Sequence, residues 1–116
     1  MTQQELTFKV KALLWQEEGF WVVQGLEYDI AAYGKSIEKA MAAFKKTFLG
    51  QIIIDIKDGK KPLQDVGKAP VMYSQKFNSP SCYNIEDRKQ KPGKTFKIPQ
   101  GINIPDPSII ETRICA

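Results

Sequence analysis

No histidine occurs anywhere in the 116 residues. The usual general base near neutral pH and the commonest metal ligand are therefore missing together. The two cysteines, Cys82 and Cys115, match no metal-binding spacing. There is no G-x-S-x-G elbow, glycine-rich phosphate loop or Walker pattern. Glu27 and Asp29 stand two apart, so on a strand they would share a face, and paired carboxylates can do acid–base work. The plainer reading, preferred here, is a solvated or capping pair at a strand edge. These residue types point to a non-enzymatic protein that uses no cofactor and no metal.

What remains is chemistry of contact. Trp15, Trp21, Tyr28 and Tyr33 fall in one short stretch and could stack on a base or clamp a partner, or pack a core. Basic residues concentrate later. Up to Val66 the chain has nine Lys/Arg against nine Asp/Glu; from Gly67 onward it has eight against four, which accounts for the net charge of +4. Five of those eight lie between Arg88 and Lys97, around a Pro92-Gly93 turn. Clustered guanidinium and ammonium groups attract phosphate, although a solvated loop reads the same way. The candidate binding residues are Trp21, Tyr28, Tyr33, Arg88, Lys89, Lys91 and Lys94.

The elements that must position them are legible in the first half. Leu6, Phe8, Val10, Ala12 and Leu14 alternate with polar residues, the period of a strand with one buried face. Gln16 to Gly19 is a polar turn, and Phe20 to Gln24 is the returning strand. Gly25 to Asp29 reads as a bend, and Tyr28 to Tyr33 as a third strand ended by Gly34. Ser36 then caps a helix with Glu38 in its first turn, and Ile37, Ala40, Met41, Phe44 and Phe48 form its apolar stripe. Gly50 could end that helix and leave Ile52-Ile53-Ile54 as a strand. The stripe continues through Ile52 and Ile56, however, and Gly59 with Pro62 makes a stop. The longer helix, to about Asp58, is preferred, against the strand preference of three consecutive isoleucines.

All seven prolines lie at Pro62 or later. The second half therefore reads as loops and short edge strands, with Val71 to Tyr73 a strand or helical turn, Thr95 to Ile98 a strand, and the tail mostly irregular. Phe96, Ile98, Ile102, Ile104, Ile109 and Ile110 are nevertheless too many apolar residues for a disordered tail. Extended packing on the sheet or on a neighbouring subunit is expected.

The stretch from Glu17-Glu18-Gly19 through the Phe20 strand, Gly34, Ser36 and Glu38 resembles the HicB-like family, and Asp58 to Pro62 and Lys68-Ala69-Pro70 are similar to its stand-alone members. The resemblance implies an α+β fold, a three-stranded antiparallel meander followed by one helix (β-β-β-α, partly like a double-stranded-RNA-binding domain). It also implies an antitoxin-type role, binding and neutralising a small ribonuclease partner.

Residues 1–77 are expected to form that domain, and 78–116 an extended basic, proline-rich tail packed on the core or a neighbouring subunit. Nothing after Phe77 has the capped amphipathic helices of a standard DNA-binding module. The primary expectation is an interaction module that holds a partner protein, assembled as a homodimer or tetramer to hide its open edge. The alternatives are a protein that sequesters a nucleotide or similar anionic signalling molecule, as in phage counter-defence, and an RNA-binding domain. No apolar run reaches the roughly 18 residues of a membrane span. The first residues also lack a signal-peptide pattern, so a cytoplasmic setting is expected, with two unpaired thiols.

Overall fold

The computed structural model describes residues 8–84, 95–97, 103–105 and 108–115. The chain is α+β. In order it forms β1 (Lys9–Glu17), β2 (Phe20–Gly25), β3 (Ala31–Gly34), α1 (Ile37–Lys57), α2 (Val71–Phe77), β4 (Cys82–Asn84), β5 (Thr95–Lys97), β6 (Asn103–Pro105) and β7 (Ser108–Cys115). The main sheet runs β3-β2-β1-β7-β4, and β5 pairs separately with β6.

The expected three-stranded sheet is thus a five-stranded mixed one. β1 pairs antiparallel with β2 on one side and parallel with β7 on the other, and β4 closes the far edge antiparallel to β7. The segment read as a mostly irregular tail supplies two strands of the same sheet. The third strand is shorter than its sequence suggests: Tyr28 lies in the bend and pairing starts at Ala31. The β1–β2 hairpin closes on two residues with left-handed backbone, Glu18 (φ 47°) and Gly19 (φ 84°), the turn geometry that follows strand twist.

α1 follows the longer of the two helix readings. Ser36 accepts the Lys39 N–H at 3.1 Å as N-cap, the helix ends at Lys57, and Gly59 turns the chain away with φ 72°. Its apolar stripe, Ala40, Phe44, Phe48 and Ile52, is buried with Val10, Ala12, Leu14, Val23 and Ala32 of the sheet. Two glycines let helix and sheet approach. A Cβ on Gly34 would stand 2.6 Å from the Ala40 nitrogen, and one on Gly25 would stand 3.2 Å from the Phe44 ring. In the last turn of the helix, buried Asp55 accepts the Leu63 N–H at 2.7 Å and the Gln51 amide at 3.0 Å, which holds Leu63 in the core despite its φ of 64°.

α2 packs on the opposite face. Its Phe77 is buried with Leu13, Leu26, Cys82 and Cys115, and Tyr73 and Trp15 lie against this second cluster. Cys82 and Cys115 face each other across β4 and β7 and are joined in a disulfide, not left as two free thiols. The sequence carries no signal of this pairing because β7 itself was not legible. Disulfides persist in oxidising surroundings, so the bond sits against the expected cytoplasmic setting.

Three stability measurements follow. Phe44→Ala should cost roughly 3–5 kcal/mol in denaturant melts, the range for a buried phenylalanine; a loss below about 1 kcal/mol would show that the stripe is not core. Gly50→Ala should stabilise by about 0.5–1 kcal/mol, because Gly50 is inside α1 and a Cβ there meets nothing within 4 Å. Reducing the disulfide, whose cysteines are 33 residues apart, should cost about 3–4 kcal/mol. An unchanged melting temperature in reductant would count against the bond.

Candidate functional site

The two faces of the sheet are not equally closed. Side chains alternate along each strand, so the neighbours of Leu14, Val23 and Ala32 point away from α1. Strand register then sets Trp15, Val22 and Tyr33 side by side across β1, β2 and β3, with Phe20 opposite Glu17. α2 covers the β1, β7 and β4 part of this face. Over β2 and β3 no described element lies: Tyr33 is 69% exposed and Phe20 40%, their rings edge to face at 5.9 Å.

The three aromatics singled out in the sequence are not brought together. Trp21 is half-buried and packs into the α1-side core. Tyr28 packs there too, edge to face with Phe8 at 6.1 Å and with Phe48 at 5.5 Å. Only Tyr33 of the three stands free on the open face. Arg88, Lys89, Lys91 and Lys94 lie outside the described residues. Phe20 was missed as a surface group, with half-buried Val22 beside it on the same face, although the hairpin turn sets their register opposite Glu17 and Trp15. Met72 and Tyr73 became visible only once α2 was seen to dock.

Between β1 and α2 lies a hollow of about 270 Å³ lined by Trp15, Glu17, Met72, Tyr73 and Lys76. Trp15 and Tyr73 stack at 5.9 Å, Lys76 Nζ sits 5.6 Å from the Trp15 ring centre, and the Trp15 indole N–H donates to Glu17 at 3.2 Å. The volume falls below the roughly 300–1,000 Å³ of small-molecule sites. Its aromatic faces and charges are also engaged with one another. The hollow reads as the seam where α2 docks.

The carboxylate pair does structural work. Glu27 accepts the Lys11 backbone N–H at 2.7 Å, and Asp29 accepts from the buried Gln24 amide at 3.0 Å. Among the described residues no cluster of His, Cys, Asp or Glu could hold a metal, and no helix is long and apolar enough to cross a membrane. No protein family, no curated protein and no solved structure matches the chain. Any functional reading therefore stands on the residues and their geometry.

α2 is tied down by charge as well as by Phe77. Arg113 lies over the Phe77 ring at 4.5 Å, donates to the Phe77 carbonyl at 2.8 Å, and pairs with Glu111 at 2.6 Å. The Arg113 guanidinium holds the Glu111 carboxyl below the usual carboxylate range, against a smaller opposing effect of burial. Glu111 thus binds its proton less tightly folded than unfolded. The stabilisation is fully present above the ordinary carboxylate range and is lost as pH falls through the lowered folded value. Glu111→Gln should remove this part of the acid dependence, so the variant's stability deficit should shrink between neutral pH and about pH 3. A deficit that does not change with pH would mean the pair contributes nothing through charge.

Proposed function

We propose that the protein is a non-enzymatic interaction module of the antitoxin type, HicB-like in character, which takes an extended segment of a partner protein onto the free edge of β3. One observation carries this reading. The Gly25 N–H donates to the Ile30 carbonyl at 2.9 Å, which fixes the phase of the β2–β3 ladder. Ala32 and Gly34 then bond toward β2, while Ala31 and Tyr33 turn their N–H and C=O groups outward. No described strand pairs with them. An unpaired row of backbone groups is a template for strand addition. The exposed Tyr33 ring beside it offers a side-chain contact for specificity. The alternation of groups engaged by the fold with groups left unengaged favours binding over catalysis, since Glu27, Asp29 and Asp55 are all spent on holding the chain in place.

The discriminating variant is Ala31→Pro. Ala31 is exposed, is the first residue of β3, and points its N–H away from β2, so proline is tolerated there but cannot donate to an added strand. A partner retained from an extract of the native host by immobilised wild-type protein should be lost from Ala31→Pro. The melting temperature should stay within about 3 °C, the effect of well under 1 kcal/mol in a domain of this size. Full retention by the variant would remove the β3 edge from the reading.

A further inference from the structure

Five large hydrophobic side chains are exposed among the described residues: Phe20, Tyr33, Ile54, Val71 and Met72. Four of the five belong to one face, and they divide into two groups. Val71 (69% exposed) and Met72 (61%) stand on α2, a ridge over the β1, β7 and β4 part of the sheet. Phe20 and Tyr33 line the gap beside it over β2 and β3. Met72 is on the flank of α2 that faces the gap, since it lines the hollow with Trp15 and Glu17. Two adjacent strands make a strip roughly 10 Å wide, which is about one helix diameter.

We infer that this face pairs with a second copy of the same chain, the α2 ridge of each protomer filling the β2–β3 gap of the other. A two-fold axis applies both contacts at once, so the assembly closes as a dimer and buries all four side chains. The charges agree with the shapes. Lys76 is the one ionised side chain on α2, whereas the Phe20 end of the gap carries the exposed carboxylates of Glu17 and Glu18 in the β1–β2 turn. A cationic ridge therefore meets a gap with an anionic end, and like charges are kept apart. On the other face α1 packs over β3 and β2. The outward backbone groups of β3 stay accessible in this arrangement, so the dimer does not depend on the strand-addition reading.

Sedimentation or light scattering at tens of micromolar should give twice the 13.1 kDa of one chain. Met72→Asp and Phe20→Lys, both at exposed positions, should each give a 13.1 kDa particle with unchanged circular dichroism. Mixed in equal amounts they should associate again, because one of the two contacts is then wild type and the other joins an aspartate to a lysine. A wild-type monomer would overturn the proposal. So would a dimer that survives both substitutions, or single variants that do not recombine. Ala31→Pro should remain dimeric, so loss of partner binding and loss of the dimer are separate results.

Discussion

β1 is the strand on which the rest of the chain is built. Ala12, Leu13 and Leu14 are three consecutive residues with no exposed surface. In a strand, consecutive side chains point to opposite faces, so such a run can be buried only if both faces are covered and neither edge is free. β2 and β7 occupy the two edges, α1 one face and α2 the other. Each of those elements is thereby required by a short apolar run near the start of the chain.

That requirement explains what the sequence did and did not disclose. Alternation through Val10, Ala12 and Leu14 reads as a strand with one buried face, and it is right about the face under α1. Leu13 breaks the alternation, and it is the residue that calls for a second layer. The hairpin turn at Glu18-Gly19, the Ser36 cap, the long apolar stripe and the Gly59 stop are all local, set by residues within a turn or two of one another. They were legible. The β1–β7 ladder joins residues about a hundred positions apart, Lys9 to Ser108 and Leu14 to Ile114. Nothing local encodes a parallel pairing over that separation, and without it the facing of Cys82 and Cys115 has no sequence signature.

The candidate site was harder to read for the same reason. Trp21, Tyr28 and Tyr33 are similar in type and near in sequence. One residue of register nevertheless sends Trp21 toward α1 and its neighbours along the same strand, Phe20 and Val22, away from it. Composition alone could not separate a core aromatic from a surface one. The residues that decide between them are the two of the hairpin turn, because they set which side chains stand opposite Glu17 and Trp15.

The two faces differ in how firmly they are held. Under α1 the contact is twenty-one residues of helix against three strands, with glycines at Gly25 and Gly34 that permit close approach. Under α2 the cover is seven residues, anchored by Phe77, Arg113 and the disulfide at one side of the sheet. A short helix buries too little to be stable alone, so its position depends on those anchors, and the surface that it leaves open depends on its position. The larger buried cluster is thus on the α1 face, and four of the five exposed large apolar side chains among the described residues are on the other. Among the described residues Glu27, Asp29 and Asp55 accept hydrogen bonds from within the chain, whereas the outer edge of β3 and the half-covered face of the sheet have no described strand or helix against them.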